Sequence, residues 1–222
     1  MTDYYSDKLS AERLMRVYEI APPRVGQYLK SEIDHVIKSL RPGDTILELG
    51  CGYGRALALI QQEDITAAGI DTSIANLTAA RAFLSNSAIH LVQMNAVKLG
   101  FRDKSFDRVI CIQNGISAFH LPPEKLVAES IRVTKPGGSA LFSTYSHKFW
   151  DDRLEWFRLQ AESSLIGEID LNLTGDGKIV CKDGFSATTF GQEQFRSLAE
   201  SFGLPYSIIE VDNSSLFLEI NV

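Results

Sequence analysis

Apolar residues recur along this chain at two spacings, and the spacings alternate. Between residues 10 and 21, Leu14, Val17 and Ala21 share one face of a helical pattern that Ser10 can cap and Pro22-Pro23 must end. Val25, Tyr28, Leu29, Ile33, Val36, Ile37 and Leu40 repeat the helical pattern, and Arg41-Pro42-Gly43-Asp44 is a turn. A β-prone run over 45–49, apolar at Ile46, Leu47 and Leu49, reads as a buried strand, and Leu57, Leu59 and Ile60 read as the helix behind it. The unit then repeats. Ala67-Ala68-Gly69-Ile70 is a second strand, Thr72-Ser73 an N-cap, and Ile74, Leu77 and Leu84 the face of the next helix. Ile89-His90-Leu91-Val92 is a third strand, with His90 expected in the core, and residues 106–112 are a fourth. Leu126, Val127 and Ile131 mark a helix that Lys135-Pro136-Gly137-Gly138 stops before a fifth strand over 140–145. Strand alternating with helix predicts an α/β fold, a mostly parallel sheet with helices on both faces.

The rhythm breaks after residue 145. An aromatic helical stretch with His147, Phe149, Trp150, Trp156 and Phe157 is followed by alternation around Thr174-Gly175-Asp176-Gly177, a hairpin signal. Phe195, Leu198, Ala199 and Phe202 form a last helical face with Gly203 as its C-cap. Strands over 206–211 and 216–222, joined by Asp212-Asn213-Ser214-Ser215, have to pair antiparallel because the connection is so short. The expected organisation is a leading helical segment at 1–43, an α/β core at 44–145, an insertion at 146–190, and a helix with edge strands at 191–222. Because the insertion leaves the fifth strand's carboxyl end, where open sheets bind ligands, it is expected to roof the substrate.

Composition narrows the classes. With 222 residues, 45% of them hydrophobic, the chain suits one domain with an insertion. A net charge of −6 without a Lys/Arg block disfavours nucleic acid as a partner. Three cysteines at unrelated positions, no C-x-x-C and no long apolar run lead to the expectation of a reduced, cytoplasmic protein without membrane contact, monomeric or homodimeric.

The chemistry concentrates at Glu48-Leu49-Gly50-Cys51-Gly52-Tyr53-Gly54. Three glycines at alternate positions between strand and helix make a bend that a ligand can approach closely. The spacing is not the G-x-G-x-x-G of dinucleotide binders, and no G-x-x-x-x-G-K-[ST] loop occurs. Glu48 repels a diphosphate and attracts an ammonium or sulfonium, so the expected ligand is a nucleoside carrying positive charge.

This stretch resembles the first motif of the class I S-adenosylmethionine-dependent methyltransferases. Asp71, 21 residues after Gly50, matches that family's ribose-binding acid, and the Phe106-Asp107-Arg108-Val109 and Lys135-Pro136-Gly137-Gly138 segments are also similar to it. The resemblance implies a Rossmann-like, doubly wound, mostly parallel seven-stranded sheet with an antiparallel edge strand. It implies S-adenosylmethionine as cofactor, released as S-adenosylhomocysteine. The cofactor residues carried over are Glu48, Gly50, Cys51, Gly52, Gly54, Asp71 and Thr72, with Asn95 and Ala96 where the family usually has an Asp for the adenine amine. Gln113 or Asn114, beyond the fourth strand's carboxyl end, is expected to face cofactor or acceptor, and the resemblance implies a leading segment that folds over the cofactor as a lid through Tyr4, Tyr5 or Tyr18.

The activity implied is methyl transfer to a small molecule. A tRNA or protein acceptor, or a module that binds cofactor without turnover, is the alternative. Direct displacement from a sulfonium needs a base only for a protonated acceptor, and His147 and His120 are the candidates. No acid pair is spaced for magnesium, so no metal is expected.

Overall fold

The computed structural model describes residues 9–61, 64–85 and 88–222. Its main sheet has seven strands in the order β3-β2-β1-β4-β5-β9-β8. In chain order these are β1 (Thr45–Leu49), β2 (Thr66–Asp71), β3 (His90–Gln93), β4 (Phe106–Cys111), β5 (Thr134–Tyr145), β8 (Tyr206–Val211) and β9 (Ser215–Asn221). The chain winds outward from β1 to β3, then returns to the other side of β1 as β4, with every pairing among β1 to β5 parallel. Strand order therefore reverses between β1 and β4, and the connections leaving their carboxyl ends diverge into a crevice. The antiparallel pairing lies at the far edge, where β9 runs against both β5 and β8.

The central strands are apolar on both faces because both are covered. Ile46 meets Ile33 and Val36 of α2 (Pro23–Ser39) and Leu57 of α3 (Arg55–Ile60) in one cluster. Leu47 and Leu49 meet Leu126 and Val127 of α6 (Pro123–Val133) and Phe195 of α8 (Gln192–Glu200) in the other. Between these lie α4 (Ile74–Phe83) and the short α5 (Gly115–Ala118).

Several expectations change. His90 is exposed, because β3 is the edge of the sheet and not an interior strand. Lys135-Pro136-Gly137-Gly138 does not merely end a helix; it belongs to β5, where a Cβ on Gly138 would lie 2.5 Å from the Asp107 carbonyl oxygen. Helix α1 (Glu12–Glu19) is preceded by Ala11 at φ 50°, not capped by Ser10, and the Ala11 N–H donates to Asn76 Oδ1 at 2.7 Å. The expected hairpin turn forms at Asp176 and Gly177, both at positive φ, between reciprocal Gly175–Lys178 hydrogen bonds. Its strands are short, and β6 (Ile179–Val180) pairs with β7 (Ser186–Ala187) on the far side.

A second apolar core covers the carboxyl end of the sheet. Val17 of α1 and Tyr28 of α2 pack there with Tyr145, Phe149, Trp156 and Phe185, joining the leading helices to α7 (Trp150–Glu162) and the segment after it. Trp156 Nε1 donates to the Val17 carbonyl at 3.0 Å, and Arg13 Nη2 to the carbonyls of Ser164 and Leu165. Arg153 is 1% exposed, donates to the Gly177 and Ala187 carbonyls, and stacks 4.5 Å from the Tyr145 ring centre.

At the opposite end, Asp107 Oδ2 accepts from the Thr45 N–H, the Thr45 hydroxyl and Lys135 Nζ, tying together β1, β4 and β5. Burial alone would raise this carboxyl, but the Lys135 and Thr45 hydrogen bonds outweigh it and hold the group at about 2. A depressed carboxyl contributes stability that is complete above the unfolded pKa of about 4 and disappears as pH falls through the folded value. Asp107→Asn is expected to cost about 1–2 kcal/mol near neutral pH, with the gap from the parent closing between about pH 4 and about pH 2 in urea unfolding. A gap independent of pH would show that the charge is not what matters.

The three cysteines are buried and unpaired. Among the described residues, no helix is long and apolar enough to cross a membrane.

Candidate cofactor site

After β1 the chain turns through Gly50, Gly52 and Gly54 at φ 72°, 54° and 86°. These values lie in the left-handed region, which disfavours any residue carrying a Cβ. The N–H groups of Gly50 and Cys51 both donate to the Ile70 carbonyl, at 2.8 and 2.9 Å, so the bend is fastened to β2. Gly54 is the N-cap of α3. The bend is glycine-bare, yet it is not open on all sides as its sequence suggests. A Cβ on Gly50 would lie 2.4 Å from the Phe119 ring, one on Gly52 3.0 Å from Leu14, and one on Gly54 2.6 Å from Leu84. The missing Cβ atoms make room for apolar side chains from α1 and the end of α5 to cover the main chain and bury their own area. Cys51 adds only its backbone to the bend. Its thiol lies under the sheet, 2.8 Å from where a Gly69 Cβ would stand, and burial pushes it well up.

Asp71, at the tip of β2, accepts from the Gly52 N–H at 2.9 Å through Oδ2, and from the Ser73 N–H and Asn76 Nδ2 through Oδ1. It therefore braces the bend from the neighbouring strand. Glu48 is different: it is 5% exposed and its Oε2 has no hydrogen-bond partner. Burial pushes its carboxyl up to about 8, with Arg55 opposing the rise and Asp71 adding to it. Thr72 is exposed, and its carbonyl accepts from Gln93 Nε2. Asn95 is exposed as well, and its side-chain oxygen closes a local turn onto the Val97 N–H at 3.0 Å. Ala96 packs in the main core.

Beyond β4, Gln113 and Asn114 are consecutive non-glycine residues in the left-handed region, at φ 56° and 64°. Each costs of order 1–3 kcal/mol unless its surroundings hold it. Here they do. The Gln113 N–H donates to Glu32 Oε2 at 2.7 Å and to Ser143 Oγ at 2.8 Å, while its side-chain oxygen accepts from the Tyr18 hydroxyl at 3.2 Å. Gln113 thus meets Tyr18 of α1. Asn114 does not face the crevice. It is buried, donating to the Thr188 carbonyl and accepting from Thr144 Oγ1, because its amide stitches the insertion to β5.

Sequence reasoning passed over two charged residues. Glu32 on α2 is fully buried, and burial pushes it up to about 7 against the hydrogen bonds from Ser143 and Gln113. Its signal was a carboxyl lying within the apolar stripe of Tyr28, Leu29, Ile33 and Val36. Arg55 opens α3, lies 4.7 Å from the Tyr18 ring centre, and leaves Nε and Nη2 buried without hydrogen-bond partners. Tyr18 in turn meets Tyr53 edge-on.

Neither histidine lies among these buried groups. His147 is exposed, at the mouth of a cavity of about 790 Å³ bounded by Tyr145, Arg153, Phe190 and Glu210. His120 is exposed at φ 51°. Tyr4 and Tyr5 lie outside the described residues. Among the described residues, no cluster of His, Cys, Asp and Glu is arranged to hold a metal.

The unpartnered atoms at this end of the sheet have complementary character: carboxyl oxygens on Glu48 and Glu32, and N–H donors on Arg55 and Gln113. Buried polar atoms are costly without partners, and a ligand with both a cationic centre and a carboxylate satisfies the two kinds together. An aminoacyl nucleoside sulfonium has that make-up, so these residues fit S-adenosylmethionine.

Comparison with known proteins agrees. The family described as methyltransferase domain matches residues 47–142. A fatty-acid O-methyltransferase of Mycolicibacterium smegmatis is 29% identical over 127 residues, 55% of this chain and 44% of that protein. A 2-methyl-6-phytyl-1,4-hydroquinone methyltransferase of Synechocystis is 29% identical over 143 residues, 60% of this chain and 43% of that protein. The chain thus spans less than half the length of these two relatives. Among solved structures, a protein from Pyrococcus horikoshii superposes with a TM-score of 0.68 at 22% identity, covering 100% of this chain and 99% of its own. A methyltransferase from Aquifex aeolicus does so with a TM-score of 0.62 at 15% identity, covering 93% and 96%. Glycine bend, strand order and matched segment coincide: residues 47–142 match the methyltransferase domain family, on a sheet with the fold of S-adenosylmethionine-dependent methyltransferases.

Proposed function

We propose that this protein moves a methyl group from S-adenosylmethionine to a small-molecule acceptor. The observation carrying this reading is the pair of unsatisfied buried groups at the glycine bend, the Glu48 carboxyl and the Arg55 guanidinium. The cofactor supplies a methyl on a sulfonium, whose departure leaves a neutral thioether. The chain's own residues have binding and shielding to do. Asp71 is assigned to the ribose hydroxyls, Glu48 to positive charge, and Arg55 and the Gln113 amide to the tail carboxylate. Asn95 and Ala96 flank the place for the adenine edge. Tyr18 on α1 and the aromatic core of α7 exclude water from the transfer.

A small acceptor is favoured because that core closes over the carboxyl end of the sheet, and because the two named relatives are described as acting on a fatty acid and a hydroquinone. His147 at the cavity mouth, and His120, remain the proposed proton acceptors for an acceptor that carries a proton. An acceptor already anionic needs neither.

Calorimetry with S-adenosylhomocysteine tests the reading. Saturable binding is expected, and absence of heat at millimolar ligand would refute it. Asp71→Ala is expected to weaken that binding by about 1–3 kcal/mol, the loss of a charged hydrogen bond. Unchanged affinity would remove Asp71 from the ribose.

A further inference from the structure

Gln113 and Asn114 turn the chain from β4 into α5 through left-handed backbone, which a residue carrying a Cβ keeps only where its surroundings hold it. Pairing of β4 ends at Ile110 towards β1 and at Cys111 towards β5, so the Gln113 N–H has no ladder partner and needs another acceptor. It has two, Glu32 Oε2 at 2.7 Å and Ser143 Oγ at 2.8 Å. The Ser143 hydroxyl in turn donates to Glu32, so both acceptors lead back to one carboxyl. The side chain is held separately, by the Tyr18 hydroxyl on its Oε1 at 3.2 Å, and its Nε2 is buried without a hydrogen-bond partner. Gln113 is thus gripped by its main chain from α2 and by its side chain from α1, with one donor left over.

The position of Glu32 is otherwise unfavourable. It is 0% exposed, between Leu29 and Ile33 in the apolar stripe of α2, where a methionine would pack without burying a carboxyl. Its Oε1 has no hydrogen-bond partner either. Core packing does not call for an acid here, whereas the Gln113 N–H does.

We propose that Glu32 is a positioning residue for the cofactor: it holds the left-handed turn after β4 and so aims the Gln113 amide at the ligand's carboxylate. This rests on the proposed function, which assigns that amide to the tail carboxylate, and adds the residue that places it. Without the acceptor from α2 the turn relaxes, Gln113 swings with it, and the ligand must restore the strained backbone as it binds. The cost then falls on affinity and not on folding, because the free protein sheds the strain and a buried carboxyl together.

The test is calorimetry of the full chain with S-adenosylhomocysteine, beside urea unfolding. Glu32→Met, which fills the space without an acceptor, is expected to weaken binding about tenfold or more without lowering the unfolding midpoint. Glu32→Gln keeps an oxygen for the N–H and is expected to recover most of that loss. In a Gln113→Ala background, where no amide remains to be aimed, Glu32→Met should cost no more than about twofold. Ser143→Ala leaves the carboxyl in place and should cost less than Glu32→Met. It keeps the test decisive if Glu32→Met does not fold, since a tenfold loss there would hand the turn to Ser143 and overturn the assignment. Binding by Glu32→Met as tight as the parent's would overturn it, as would a Glu32→Gln no better than Glu32→Met. An additive loss on Gln113→Ala would do so by showing that Glu32 meets the ligand directly, and a parallel fall in the unfolding midpoint would reduce Glu32 to a folding role. These results leave the proposed function standing, whereas absence of binding by the unmodified protein would remove both.

Discussion

Gly50→Ala is expected to be among the most damaging single changes to ligand binding. At φ 72° a Cβ costs about 1–2 kcal/mol by itself, and the new methyl would stand 2.4 Å from the Phe119 ring. Relief requires moving Phe119 or shifting the bend, and a shifted bend loosens the two N–H bonds to the Ile70 carbonyl. Together these should lower stability by about 2–4 kcal/mol and weaken S-adenosylhomocysteine binding by about 100-fold or more. Adding Phe119→Ala separates the causes. The double variant should recover the part due to collision and keep the part due to backbone conformation, a coupling that urea unfolding reads as a double-mutant cycle. Additive losses would mean that Phe119 does not hold the bend.

Arg153→Ala should produce the largest loss of stability without touching the glycine bend. Two charge-assisted hydrogen bonds disappear, the Gly177 and Ala187 carbonyls lose their donor, and the rings of Tyr145 and Phe157 lose their stacked partner. At about 1.5–3 kcal/mol for each charged bond, the expected cost is about 3–5 kcal/mol, or a Tm lower by roughly 10 °C. Arg153→Lys should rescue little, because one ammonium cannot reach two carbonyls and also lie flat against the rings. A small change in Tm would show that the hairpin is held by its own turn.

What the sequence made legible follows from how local each signal is. The glycine bend and Asp71 are readable because strand, turn and acid follow one another within a single strand-helix-strand unit. The short 212–215 connection likewise dictated antiparallel pairing before any coordinates. Glu32 and Arg55 were not readable as a site. A charged residue in a helix is ordinarily solvated, and only tertiary packing, of the sheet around Ser143 and Gln113 on Glu32 and of Tyr18 on Arg55, takes these two out of water. Phe119 over Gly50 is an approach between segments about seventy residues apart, which no periodicity reports. His90 failed for a related reason: alternation shows that a stretch can be a strand, but whether it ends up at the edge depends on the order of the others. Asn114 looked like a crevice residue from its position after β4, while its amide found closer partners in Thr144 and Thr188.

Helix α1 is bound in two directions, to α4 and the loop after β4 through Ala11 and Tyr18, and to the segment around α7 through Val17 and Arg13. Leu14 rests on Gly52 between those anchor points. A side chain added at Gly52 would push against that leucine, and a displaced α1 would strain the Trp156 and Arg13 hydrogen bonds that hold it, so a change at the bend is transmitted to residues far from it in sequence.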